Sequence, residues 1–228
     1  MSLKGRLEAA RIACEANADP AAAAATRVLV RGLREAGVAA DAVKAGDIAP
    51  EFAGADQLGA RVALSGLLRR GPAVISFFRG YWCAFCALEL QALAEIHAEI
   101  KRLGATLVAL SPYSGSMPRC IGEAIIPFPV LHDAGCAIAS RYGVAFSIPA
   151  ELRALHLALG FPKPARDSPT SWKLPIPATY IVGITGRVVL SYLDVDYTTR
   201  LAPADIIAAM THLQAKSVSD HSPPSDRQ

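Results

Sequence analysis

Apolar positions along this chain fall into two rhythms that alternate. The run Ala73-Val74-Ile75-Ser76-Phe77-Phe78 is almost unbroken and predicts a buried strand over 73–79. Residues 84–102 then place Phe85, Leu88, Leu93, Ile96, Ile100 and Leu103 close to helical spacing. Thr106-Leu107-Val108-Ala109-Leu110 predicts a second buried strand, residues 116–124 a helix, and Pro129-Val130-Leu131 a short strand. A short helix is expected over 136–142, closed by Gly143. Residues 145–176 are rich in Pro and turn formers and predict an excursion over the surface. Residues 179–182 and 187–192 read as a hairpin about Thr185-Gly186, and Pro203 opens a last helix over 203–214.

Upstream, residues 3–16 and 20–36 predict two helices, with Asp19-Pro20 as N-cap and first position of the second and Gly37 as its end. The Ala22–Ala25 run favours helix but offers little to a core, so this hairpin is expected to pack on the domain that follows. Asp47–Phe52 reads as a loop, and Arg61-Val62-Ala63-Leu64 as a short strand followed by one helical turn. Strands alternating with helices, and a terminal hairpin, imply an α/β fold with a mixed central sheet. The expected organisation is a helical extension over 1–43, one domain over 44–216 and a disordered polar tail over 217–228.

Composition narrows the classes. With 228 residues, 52% hydrophobic and 19% charged, the chain can build a substantial core. A net charge of +3 with scattered basic residues gives no nucleic-acid footprint. No apolar run approaches the ~18 residues that a membrane span needs. The first residues carry charges and no continuous apolar stretch, so the cytoplasm is the expected compartment. Five cysteines, an odd number in a chain of this length, argue against a disulfide scaffold.

The candidate chemistry lies in Cys83-Ala84-Phe85-Cys86, preceded by Trp82, between a predicted strand and a predicted helix. Two thiols three residues apart at a helix start are close enough to form a disulfide, and the N–H groups and dipole there favour a thiolate. A free Cys is only ~3% thiolate at pH 7, and a helix terminus lowers its pKa by ~0.2–1.5 units, towards ~7. Zinc is disfavoured because Cys14, Cys120 and Cys136 form no second C-x-x-C; they read as small buried hydrophobes. Glu89, one turn past Cys86, reads as a solvated helix residue or a proton-transfer aid. Trp82 reads as a cover for the thiols or as core, and Arg79 as a thiolate partner or a surface residue. Asp194 and Asp196 read as turn residues, and no cofactor or metal is implied.

Several segments in order resemble the AhpC/TSA peroxiredoxin-like branch of the thioredoxin superfamily. They are Gly46 to Phe52, Phe77-Phe78-Arg79-Gly80-x-Trp82-Cys83-x-x-Cys86, Leu110-Ser111-Pro112, Phe128-Pro129-Val130-Leu131-x-Asp133, Leu174 to Tyr180, and Asp194 to Arg200. The resemblance spans roughly residues 44–214. It implies a thioredoxin-like fold with an extra strand and helix after the motif helix, and a cis-proline at Pro177 facing the thiols.

Within that family, peroxidases use a Pro-x-x-x-Thr-x-x-Cys motif and a distant Arg. Aligned on Phe77-Phe78, those positions here carry Arg79, Cys83 and Cys86, and Pro177 stands where the Arg would be. Two readings follow. In thiol–disulfide exchange, Cys83 is the nucleophile and Cys86 resolves the mixed disulfide. In peroxide reduction with an antioxidant role, Cys86 or Cys83 is peroxidatic. Both imply a disulfide or peroxide substrate and a thiol electron donor such as a thioredoxin or glutathione system, with a homodimer allowed. A third reading, from another class, is a non-catalytic thioredoxin-fold module that binds a partner through 1–43 or 145–176.

Overall fold

A computed structural model describes residues 1–113, 120–121, 124–159, 161–163 and 172–219. Its centre is a mixed five-stranded sheet. In chain order the strands of that sheet are β3 (Ala73–Phe77), β4 (Thr106–Ser111), β7 (Val130–His132), β10 (Ala178–Val182) and β11 (Val188–Leu193). Their spatial order is β11-β10-β3-β4-β7. β3, β4 and β7 run parallel, while β10 is antiparallel to both β3 and β11.

All five residues of β3 are buried, as a strand covered on both faces requires. The two-residue period sorts its side chains. Ala73, Ile75 and Phe77 face one core with Val108, Leu110, Leu131, Tyr180 and Val182. Val74 faces the other with Leu107, Ala109, Val130 and Ile181, and Phe78 joins that second core. The second core is closed by α4 (Ala84–Arg102) through Phe85, Leu90, Leu93 and Ile100, and by α7 (Pro203–Ser219) through Ile206 and Met210. The first is closed by α3 (Leu64–Leu68) and α5 (Ala137–Arg141).

The two N-terminal helices, α1 (Leu3–Asn17) and α2 (Pro20–Glu35), dock on opposite cores. α1 lies against α4 through Leu3 and Leu7, and Arg6 forks onto the Glu95 carboxylate at 2.7 and 3.0 Å. Among its described side chains, the Ala-rich α2 contributes one buried residue, Leu33, to the first core. Burying one Leu is worth ~1.5–3 kcal/mol, so α2 depends on the segment after it for its position. There Val43 N–H donates to Tyr142 O at 3.0 Å.

Four expectations change. The helix expected over 116–124 is absent from its described residues: β5 (Cys120–Ile121) and β6 (Ala124–Ile125) pair antiparallel. The sequence explains this, because Gly122-Glu123 separates two pairs that each end in β-branched Ile. The 145–176 excursion holds regular structure: β8 (Ala145–Ser147) pairs with β9 (Lys173–Pro175), and α6 (Ala150–Ala158) is built from Ala, Leu, Glu and Arg. β1 (Ala53–Ala55), unanticipated, pairs with β2 (Arg61–Ala63). α7 continues to Ser219, past Ser217, and residues 220–228 lie outside the described residues. Among the described residues no helix is long and apolar enough to cross a membrane.

Gly143 has φ +69°, and a Cβ there would sit 2.8 Å from Ala42 Cα and Asp41 O. It ends α5 and lets the segment after α2 pass against the domain. Gly143→Ala is expected to destabilise the fold by about 2–4 kcal/mol, read as a lower denaturant midpoint with the slope unchanged.

Candidate active site

β3 ends at Phe77, and residues 78–83 turn the chain into α4. Cys83 is the N-cap residue of α4, with φ −88° and ψ 107°, and Cys86 stands one turn in. Gly80 makes the turn possible. Its φ is +144°, and a Cβ there would lie 2.5 Å from Trp82 Nε1 and 2.7 Å from Tyr113 Cδ2. Only glycine lets the Trp82 ring fold back over the turn.

The two thiols are unequal. Cys83 is 4% exposed and Cys86 fully buried, and both are free thiols. The Cys86 S–H donates to the Cys83 sulfur, and this hydrogen bond is the largest influence lowering the Cys83 pKa to about 6. Burial opposes the shift, and the Arg79 and Arg200 guanidinium groups add to it. The Cys83 sulfur closes no full capping hydrogen bond on α4, so the nearby Cys86 amide adds only a minor share. For Cys86 burial and the Cys83 thiolate act together, pushing its pKa well above the ordinary value. At neutral pH the pair is therefore a Cys83 thiolate beside a Cys86 thiol.

Beneath them lies a buried charge pair that the sequence did not disclose. Arg200 Nη2 donates to Cys86 Sγ at 3.2 Å, and Arg200 Nε donates to Glu89 Oε2. The Thr179 hydroxyl on β10 completes the Glu89 contacts. Both charged side chains are almost fully buried, 1% and 4% exposed. Burial raises the Glu89 pKa to about 7, against the pull of Arg200. Burial also opposes the charge on Arg200, but Glu89 and the thiols outweigh it and hold the guanidinium protonated.

Arg200 is aimed by its own turn. Asp194 Oδ1 accepts from Asp196 N–H at 2.8 Å, and Asp196 Oδ1 accepts from the Thr198 N–H and hydroxyl. Arg200 Nη1 donates back to Tyr197 O and Thr199 O at 2.6 and 2.5 Å. Asp194 and Asp196 are turn residues, as expected. The solvated reading of Glu89 is corrected, because Arg200 draws it inward. The Asp194–Arg200 stretch carried the signal for Arg200, since it belonged to the resemblance without a role attached.

Arg79 is 7% exposed, which overturns the surface reading. Its Cζ lies 4.1 Å from the Tyr197 ring centroid and 4.9 Å from that of Trp82, a cation held between two π faces. Trp82 in turn packs on Phe161 at 4.5 Å, His156 at 5.5 Å and Tyr113 at 6.0 Å. His156 Nε2 and the Tyr113 hydroxyl both meet Pro162 O, at 3.0 and 2.8 Å. The excursion therefore roofs the motif.

Pro177 is buried between β9 and β10, and the Ala178–Phe77 pairing sets it beside the end of β3, where the motif turn begins. Its peptide bond is trans, which corrects the cis expectation. Ile176 N–H donates to Val144 O at 2.6 Å, and the chain enters β10 at Ala178 through the default isomer. Cys136 is buried, as expected, whereas Cys14 on the outer surface of α1 is exposed.

Comparison with solved structures places this fold. A Mycobacterium tuberculosis peroxidoxin, BcpB, is 21% identical with TM-score 0.54, over 76% of this chain and 97% of that one. A mutant of the peroxiredoxin 6 of Arenicola marina is 19% identical with TM-score 0.59, over 82% and 80%. A candidate thiol:disulfide interchange protein, DsbE, from Chlorobium tepidum is 21% identical with TM-score 0.50, over 74% and 99%. The fold is thus the thioredoxin-like one shared by peroxiredoxins and their relatives. No curated protein matches the chain significantly. The AhpC/TSA family model matches residues 45–191, which include the motif turn, Glu89, Pro177 and most of the sheet. The chain belongs to the AhpC/TSA family.

Proposed function

We propose that this thiol-dependent redox protein is a thiol–disulfide oxidoreductase that cycles Cys83 and Cys86 between dithiol and disulfide. The observation that carries this reading is the inequality of the thiols. Cys83 is acidic and touches the surface, while Cys86 is sealed, protonated and hydrogen-bonded to it. The Cys83 thiolate attacks a substrate disulfide, forming a Cys83 mixed disulfide and releasing one thiolate. Cys86 loses its proton and attacks the Cys83 sulfur, which releases the second thiolate and closes the Cys83–Cys86 disulfide. Two electrons pass to the substrate, and a thiol donor of the thioredoxin or glutathione kind returns them.

Glu89 suits the resolving step. With a pKa near 7 it exchanges a proton readily at neutral pH, and Arg200 ties it to Cys86. The Arg200 contact to Cys86 also favours a second reading, peroxide reduction at Cys86, because a guanidinium beside a sulfur stabilises a thiolate. Its weakness is access, since Cys86 is fully buried.

In insulin-disulfide reduction, Cys83→Ser is expected to abolish turnover, and Cys86→Ser to halt at a mixed disulfide on Cys83 visible by mass spectrometry. Peroxide consumption that survives Cys83→Ser and is lost in Cys86→Ser would support the second reading instead. Glu89→Gln is expected to slow the resolving step by about 10- to 100-fold, so that the mixed disulfide accumulates. In the parent protein that step should quicken as pH rises through about 7, as Glu89 becomes able to accept the Cys86 proton, and the variant should lose this dependence. Stopped-flow measurement of the second kinetic phase across pH checks both.

A further inference from the structure

Arg79 is a buried cation without an anion of its own. Among the described residues it forms no ion pair, and its Nε has no hydrogen-bond partner. Glu89 is committed to Arg200. What surrounds Arg79 is aromatic: Trp82 on one side and Tyr197 on the other, with the roof of Tyr113 and His156 near enough to feel its charge. Such rings hold a guanidinium in place but cannot accept its in-plane N–H bonds.

Among the described residues, the negative charge that Arg79 stabilises is the Cys83 thiolate. That charge exists only in the reduced enzyme. When Cys83 enters a mixed disulfide its sulfur becomes neutral, and Arg79 stays buried and charged. A buried charge that loses its partner is costly unless another anion replaces it. The moment of loss coincides with the arrival of the substrate's sulfur.

We propose that Arg79 is a substrate-anchoring residue, and that the turn 79–82 with Tyr197 forms a pocket for a carboxylate carried near the sulfur of the substrate. The preferred substrate class is a small disulfide of carboxylate-bearing thiols. This rests on the exchange reading above. In the bound state the carboxylate accepts from the Arg79 guanidinium, in the geometry an arginine fork provides. The chemistry is unchanged: the Cys83 thiolate bonds to one substrate sulfur, the substrate S–S bond breaks, and a carboxylate-bearing thiolate leaves. Cys86 then displaces the second thiolate, and the proton from Cys86 ends on a product thiol.

Two measurements on the full chain test this. The first compares kcat/KM for dithiodipropionate, bis(hydroxyethyl) disulfide and cystamine, which are anionic, neutral and cationic. The parent protein is expected to prefer the anionic disulfide over the neutral one by about tenfold, as one charge-assisted hydrogen bond permits, and to use the cationic one least. Arg79→Met should bring all three together, and Arg79→Lys should keep part of the preference. Equal use of the three by the parent, or an equal loss for all three in Arg79→Met, overturns the proposal, because it assigns Arg79 to the thiolate alone. The second measurement needs no turnover. It compares Cys83 alkylation by iodoacetate and by iodoacetamide, each relative to a free cysteine peptide. A bias towards iodoacetate that Arg79→Met removes supports the pocket, and no bias overturns it. If no disulfide is reduced, the exchange reading falls, and the alkylation bias alone decides the pocket.

Discussion

The hydrogen-bonded chain from Glu89 through Arg200 to Cys86 and Cys83 is the interaction on which the rest of the site depends. A carboxylate and a guanidinium this deeply buried are tolerated only because each satisfies the other and the remaining donors find acceptors. Their burial fixes Cys86 below the surface, and the buried Cys86 S–H is what makes Cys83 acidic. That stacking gives the two thiols different surroundings. Charge lies at the bottom, then a protonated sulfur, then a thiolate under the roof.

The fold supplies each part of this stack from a different element. β3 delivers the motif turn, α4 carries Cys86 and Glu89 on the face turned to the sheet, and β10 brings Thr179 beneath. The turn after β11 delivers Tyr197 and Arg200 together, so one short segment serves both sides of the site. Arg79 and Arg200 divide the positive charge. Arg200 is locked to Glu89 and Cys86, whereas Arg79 is held by rings and its Nε has no hydrogen-bond partner among the described residues.

The elements of the sheet and its two principal helices were legible because their patterns are local. The β3 run is apolar on both faces, and α4 begins at the motif and ends at Arg102, with periodic apolar residues between. The hairpin of β10 and β11 announced itself through Thr185-Gly186. The excursion was misjudged because its Pro and turn residues masked the good helix formers of α6. Glu89 was misjudged for a different reason. Helical spacing leaves it on either face, and what buries it is an arginine 111 residues away. Tyr197 and Arg200 were visible only as part of a family-like stretch, since no local rule says where a turn aims its side chains. Pro177 lies beside the end of β3, and its peptide bond is trans where the resemblance implied cis.

On the proposed reading Cys83, and not Cys86, is the reactive thiol because of the charge and hydrogen bonds beneath it. The most direct measurement is the rate of alkylation of the reduced protein across pH, with the modified residue identified by mass spectrometry. The expected result is modification of Cys83, with a rate that rises through pH about 6 and levels off by neutrality, while Cys86 stays unmodified in the folded state. Modification of Cys86 first, or a Cys83 rate still climbing at the pH where an ordinary cysteine ionises, would contradict it.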